Sequence, residues 1–506
     1  FDFNYVQPFQ EAAQAKYAAL NDAQLKAALP TLNTTGGLLF AGVDTGSGLY
    51  HTPKSTFLPR AGFAYQWDDK TVMRGGFGLF AGFLGERRGD VIQPGYTRTT
   101  TVGTVNNANG APIPVSFSNS LTSTTILDPV GNAAGKQTGL GTGISFFNQD
   151  PKVSKQARWS IGLQRELWGG WVADVEYVGN YGYDIEIVRN INALPNQYLN
   201  ADNSRSAAQV ANNTFLTGTV ANPFAGLSQF AGTSFANSTI SRAQLLRPFP
   251  EFGDILTTNN DGKTWYHSGQ FAVDKRFSKG YTVQAAYTWS KWLQATEYLN
   301  PADPTPTKMI SDQDSPHRLA FSAMYEFPFG KGHELFSNAN WLTNAIFGGW
   351  QLGGTLQLQS GFPIAFGSFN ITSGATSGDL FYTGGEIDIP SSERGTNRWF
   401  NTAAFASALT TTGTLATPVN HLRTLPFRFS SVRRDYIKNL DLTLKKDILV
   451  REGMKVQLRF EALNALNEPY FPAPVTTASS TDFGKISASN QDNYARRVQL
   501  GAKFIF

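Results

Sequence analysis

Residues 156–179 read QARWSIGLQRELWGGWVADVEYVG. Ala157, Trp159, Ile161, Leu163 and Leu167 alternate with Gln156, Arg158, Ser160, Gln164 and Glu166. After Trp168-Gly169-Gly170 the alternation resumes, with Trp171, Ala173, Val175 and Tyr177 set against Asp174 and Glu176. Apolar period two on both sides of a glycine turn predicts a β-hairpin with one greasy, aromatic face and one charged face. A soluble sandwich would bury the greasy face against a second sheet, whereas a membrane barrel would turn it to lipid.

Composition narrows the field. Only 16% of the 506 residues are charged, against roughly 25% in ordinary soluble domains. Aromatics reach 13%, with 38 Phe and 18 Tyr. Mean hydropathy is −0.25, and no apolar run approaches the ~18 residues of a spanning helix, so any membrane crossing must use strands. The net charge of +4 is spread along the chain and gives no reason to expect nucleic acid as a partner. The absence of cysteine excludes disulfides and thiolate metal sites. The chain begins at Phe1 without Met or a leader, and reads as processed, trimmed or a fragment.

Residues 11–29 have helical spacing and predict one short loop helix. From residue 57 the pattern is almost wholly strand. Segments 57–67 and 71–80, 264–277 and 281–291, 317–327 and 349–359, and 438–448 and 454–463 pair as hairpins, and 496–506 runs to the C-terminus. Four of the five hairpin connections are tight. Between hairpins lie long Thr/Asn/Ser/Gly-rich stretches: 84–155, 181–263, 292–316, 367–435 and 464–495. Alternating short and long connections are the rhythm of an outer-membrane barrel, and loops beyond ~12–15 residues are uncommon in soluble sandwiches. Trp159, Trp168, Trp171, Trp289, Trp292 and Trp350 fall near strand ends, where interfacial girdles place such rings. The expectation is an all-β, antiparallel transmembrane β-barrel with long extracellular loops. Its greasy face points at lipid and its Gln/Arg/Glu face at the lumen. About eleven long strands conflict with the even number of bacterial barrels. Either a strand hides near Gly36–Val43 or Gly95–Val102, or, as favoured here, the chain is the latter part of a longer barrel.

These segments resemble the Oar-like TonB-dependent receptors. The residues that carry the resemblance are PRAGFAYQWDDKTVMRGGFGLF (59–80), ARWSIGLQREL with VADVEYVG, YHSGQFAVDKRFSKGYTVQAAYTWSK (266–291), DSPHRLAFSAMYEFPFGKG (314–332), GGWQLGGTLQLQSGFP (348–363) and RFEALNALNEPYF (459–471), in that order. The resemblance implies a 22-stranded barrel of the plugged kind, with an N-terminal plug and uptake driven by the inner-membrane TonB complex through an upstream box. Neither plug nor box is visible in these residues. Residues 1–56 are then an extracellular loop region with a short helix, and 57–506 the C-terminal portion of the barrel. Phe506 and Phe504, with Leu500 and Val498 alternating before them, resemble the signature that delivers such proteins to the barrel-assembly machinery.

Other chemistry is sparse. Gly76-Phe77-Gly78-Leu79-Phe80-Ala81 matches a dinucleotide fingerprint but lacks the following helix, and reads as small residues within a strand. His51, His267, His317, His333 and His421 form no ligand spacing, so neither a metal nor a cofactor is expected. Asp312-Gln313-Asp314 reads as a solvated turn, and no catalytic constellation is recognisable, so an enzyme is not expected. Arg60, Arg74, Arg158, Arg276, Arg318 and Arg459 project by alternation to the lumen side. There they either hold a plug or form Arg–carboxylate ladders with Asp174, Glu176, Asp274 and Glu326. The expected function is uptake through a gated barrel of a small-molecule, glycan or peptide ligand caught by the loops. Two rivals are a non-transporting adhesion or assembly protein on the same barrel, and a secreted glycan-binding all-β protein.

Overall fold

The computed structural model describes residues 1–48, 50–54, 56–82, 94–97, 128–200, 207–366, 386–405, 420, 422–423, 426–477, 480–486 and 491–506. Eleven long strands carry the fold: β1 (Arg60–Asp68), β2 (Thr71–Ala81), β3 (Lys155–Glu166), β4 (Trp171–Asn190), β5 (Ile255–Ser278), β6 (Tyr281–Ala295), β7 (His317–Glu326), β8 (Trp350–Gln359), β9 (Ile437–Arg451), β10 (Met454–Leu463) and β11 (Arg497–Ile505). They pair in strict chain order, each antiparallel to the next. Two two-residue strands join off this path: Ile144–Ser145 on β5 and Met309–Ile310 on β6.

Each turn follows from local chemistry. Lys279 and Gly280, both at positive φ, close β5–β6, and Asp68 Oδ1 accepts the Lys70 N–H at β1–β2. Because every step is antiparallel, β1 and β11 point the same way, and among the described residues they do not pair with each other. Of the two places where a further strand was sought, Thr35–Gly37 pairs only with Asp2–Val6 in a separate small sheet. Residues 98–102 of the other lie outside the described residues.

Cross-strand register sorts side chains onto two faces. Tyr177, Gly269, Trp289 and His317 form one row; Glu176, Gln270, Thr288, Arg318 and Gln359 form the next. No second sheet covers the apolar face among the described residues. Ile161 stays 50% exposed, Val498 57% and Leu500 79%, which is what a sandwich core would forbid. The sandwich alternative is therefore not the fold.

The sequence-predicted helix at 11–29 is two helices, α1 (Gln10–Ala18) and α2 (Ala23–Ala28). Asp22 breaks them apart by accepting the Leu25 N–H at 2.9 Å as the second helix's N-cap. Among the described residues three more α-helices lie in connections: α3 (Ala207–Thr217), α4 (Arg242–Leu245) and α5 (Trp341–Phe347). The long stretches that read as wandering loops hold the true cores. Phe9, Tyr17, Leu25, Leu216, Phe224, Phe230 and Phe252 cluster in the first, built from residues 1–40, 134–146, 191–200 and 207–255. The second gathers Phe366, Trp399, Phe400, Phe405 and Ile486 from the β8–β9 and β10–β11 connections.

Candidate functional site

The membrane interface is built from two aromatic girdles on the apolar face. Trp159, Tyr177, Tyr287 and Trp289 ring the end that bears the long connections. There Tyr177 Oη bonds His267 Nδ1 at 2.7 Å and Tyr287 Oη bonds His317 Nδ1 at 2.8 Å. Tyr65, Trp171, Tyr281, Tyr325 and Trp350 ring the other end. Tyr281 and Trp289 stand eight residues apart on β6, about 27 Å along the strand at ~3.4 Å per residue and roughly 21 Å of height at a ~40° tilt, comparable to the ~25 Å apolar band of outer-membrane barrels. Trp292 departs from the expected girdle: it lies on the polar face, edge-on to Tyr266 and beyond the band.

On the polar face, register aligns Arg74, Gly162, Glu176, Gln270, Thr288, Arg318 and Gln359 in one row, with Asp174 in the row below. Arg60 and Arg158 flank the Phe80 ring at 4.6 and 5.3 Å, and Arg158 also donates to Gln156 Oε1 at 2.7 Å. Arg459 donates to Gln457 Oε1 at 2.7 Å. Arg276 sits beside the β5–β6 turn, where the register shifts.

The expected Arg–carboxylate ladder is not formed. Among the described residues none of these six arginines lies within 4.0 Å of a carboxylate, because register sets Arg74 opposite glycine and Arg318 opposite Thr288 and Gln359. Lysine supplies the ion pairing instead: Asp447 binds Lys455 at 2.8 Å and Gln457 at 2.9 Å. The fingerprint at Gly76–Ala81 is interior to β2, as its missing helix required. A polar hollow of about 530 Å³ opens on this face, lined among others by Asp274, Gln284, Arg318, Ser322, Gln357 and Asp441.

Above the band, residues 184–190 of β4 and 255–262 of β5 outrun their neighbours, since β3 starts opposite Tyr183 and β6 ends opposite Lys263. This pair rises roughly 24 Å farther and carries the first cap. Residues 1–40 are clamped to that cap: Arg242 Nε meets Asp22 Oδ2 at 2.7 Å and Lys16 donates to the Ala225 carbonyl at 2.6 Å. The Leu25 N–H, ahead of the Arg242 guanidinium, holds the Asp22 carboxyl below the usual carboxylate range. An aromatic hollow of about 400 Å³ opens here, lined among others by Phe40, Tyr96, Phe146 and Phe147.

The sequence missed two residues of this region. Asp314, expected in a solvated turn, is fully buried. It binds Arg433 at 2.7 Å and the Trp292 N–H at 2.6 Å, and so locks the β6–β7 connection to the second cap. Glu251 is also fully buried, its two carboxylate oxygens find no hydrogen-bond partner among the described residues, and burial pushes its pKa well up. Asp314's partner lies 119 residues away, beyond the reach of any local pattern. His421 lies outside the described residues, and among those described no three His, Asp or Glu side chains gather as a metal site.

A meander of one-sided strands with two girdles, an open apolar face and caps at one end defines a membrane-spanning β-barrel domain. The chain belongs to the outer membrane beta barrel domain family, whose model matches residues 3–499, and its place is the outer membrane of a Gram-negative bacterium. No curated protein matches it. Among solved structures it is similar to the FrpB iron transporter from Neisseria meningitidis (11% identity, 88% of this chain and 38% of that one, TM-score 0.35). It is also similar to the outer membrane transporter YddB from Escherichia coli (11%, 87% and 39%, TM-score 0.37). A third is the ferripyoverdine receptor of Pseudomonas aeruginosa (9%, 90% and 33%, TM-score 0.36). The chain thus spans 33–39% of the length of these three proteins.

Proposed function

We propose that this chain is the C-terminal portion of an Oar-like TonB-dependent receptor, which captures a ligand with its external caps and admits it through a gated barrel. The observation that carries the reading is the pairing of two folded caps on the long-connection side with an arginine- and carboxylate-bearing lumen face beneath them. Folded caps present fixed surfaces for recognition, whereas unstructured loops would have to be ordered on each binding event. Residues 1–56 belong to the extracellular side, as their clamps to the first cap support.

The lumen arginines Arg60, Arg74, Arg158, Arg276, Arg318 and Arg459 face a polar partner such as a plug, and Asp174 and Glu176 contribute acceptors to the same wall. Parallel edges at β1 and β11 fit antiparallel closure through an odd number of further strands. The ligand is a glycan, a peptide or a small chelate, and energy comes from the inner-membrane TonB complex.

The test is the intact mass of the polypeptide extracted in detergent from native outer membranes. A mass far above 55.2 kDa supports a plug and further strands. A mass close to that value would overturn the transport reading in favour of a surface protein whose caps bind other proteins or cells.

A further inference from the structure

One residue contradicts the apolar face near the short-turn rim. Lys446 stands in the apolar row of β9, opposite Trp350 and between Leu444 and Ile448 in the alternation, yet it is only 3% exposed. Its ammonium donates to the carbonyls of Ile346, at 3.3 Å, and Gly348, and lies 5.2 Å from the Trp350 ring centroid. These carbonyls end α5, where a cation is favoured. Trp350 Nε1 donates to the Ile346 carbonyl at 2.9 Å, and Trp341 Nε1 to that of Leu449 at 3.2 Å. α5 is therefore strapped to the outside of the barrel over β8 and β9.

Its amphipathicity is inverted for a helix in water. Asn344 turns toward the protein, its Oδ1 accepting the Lys331 N–H at 2.7 Å, and Asn340 Oδ1 accepts the Thr343 N–H at 2.9 Å as the helix N-cap. Trp341, Leu342, Ile346 and Phe347 face outward, at 63%, 61%, 53% and 48% exposure. A surface helix in water presents its polar side outward. The patch meets β9 where Trp341 bonds the Leu449 carbonyl, and exposed Val450, which follows Ile448 in the apolar alternation, leads from there to the lipid-facing rows of β9 and β10.

We infer that α5 is an interfacial anchor: it lies in the headgroup–acyl boundary of the leaflet on the short-connection side, its outward side chains in phospholipid. Phospholipid is the occupant because the patch is continuous with the lipid-facing band. It also stands at the depth of the Trp171, Tyr281, Tyr325 and Trp350 girdle, where indoles favour the boundary. Lys446 serves as the strap, its charge spent on helix carbonyls rather than exposed to lipid.

These 506 residues hold no cysteine, so an introduced one is the single thiol among them, and any cysteine elsewhere in the protein is replaced by serine before labelling. The protein purified from outer membranes, carrying L342C or I346C with a nitroxide, is reconstituted in phosphatidylethanolamine–phosphatidylglycerol vesicles. Its collision rates with oxygen and with a water-soluble nickel chelate are compared with L458C, on the lipid face, and E452C, in the β9–β10 turn. The expected oxygen-to-nickel ratio at both helix positions is about tenfold above that of E452C and close to that of L458C. Nickel accessibility equal to that of E452C would overturn the anchor in favour of water. Low accessibility to both probes would overturn it in favour of a protein cover. If the cysteine variants fail to fold, quenching by phospholipids brominated near the headgroup is compared between the native protein and W341F. The quenched emission should fall in W341F, and no difference would overturn the anchor.

Discussion

Glu251 shows what a single residue can hide. Its side chain is sealed in the first cap without a partner, so the folded state favours its neutral form and raises its pKa above the ordinary 4.5. A carboxyl whose folded pKa is raised leaves the cap at its most stable below the unfolded pKa, and the cap loses stability as pH climbs toward the folded value. Glu251→Gln should flatten that loss, leaving the cap more stable than native by about 1–3 kcal/mol at alkaline pH, read by hydrogen exchange across residues 191–254. An unchanged pH profile would show that Glu251 does not control it. Asp314 makes the opposite case. Asp314→Ala strands Arg433, which is itself mostly buried, and should cost the cap junction about 3–5 kcal/mol, seen as new proteolysis in 296–316. Adding Arg433→Met should recover part of it. Neither residue was legible as special, because the burial of each is created by segments far away in sequence.

At the level of elements, the strands were legible and their ends were not. The alternation at 156–179 predicted β3 and β4 correctly up to Gly179, but β4 continues to Asn190 and β5 begins at Ile255 rather than 264. Alternation weakens there because these ends leave the lipid band and pack on a cap instead, so the apolar–polar contrast of the two faces is lost. Within the band the pairing is close-fitting: a β-carbon at Gly179 would overlap the Trp159 indole. Gly179→Leu should therefore push Trp159 out of its girdle and lower the fraction of compact barrel, measured as the folded band in unheated electrophoresis, with Gly179→Ala intermediate. The helix at 11–29 was misread as continuous because its periodicity spans the Asp22 cap that interrupts it.

Across the whole molecule, the faces yield a direct test. Cysteines at Phe321 and Leu458 should report lipid, and cysteines at Ser322 and Arg459, one residue away on each strand, should react with water-soluble thiol reagents about tenfold faster. Equal reactivity on both faces would contradict the barrel. Phe506, 92% exposed, is proposed with Phe504 as the signature read by the barrel-assembly machinery. Phe506→Ala should slow assembly in cells and leave the detergent-extracted fold intact, as measured by pulse-labelled appearance of the compact form.

The sequence by itself determined the strand content, the two-faced alternation and the rhythm of short and long connections, because these are properties of neighbouring residues. The tertiary structure alone decided that the described parts of the long connections gather into two folded caps with buried aromatic cores. It also decided that Asp314 is a buried strut, that Arg60, Arg158 and Arg459 meet an amide or a ring rather than a carboxylate, and that α5 turns its apolar side outward. The arginine contacts depend on register, and the caps, Asp314 and α5 on contacts across about a hundred residues, where the partner is set by the path of the chain and leaves no periodic trace in either segment.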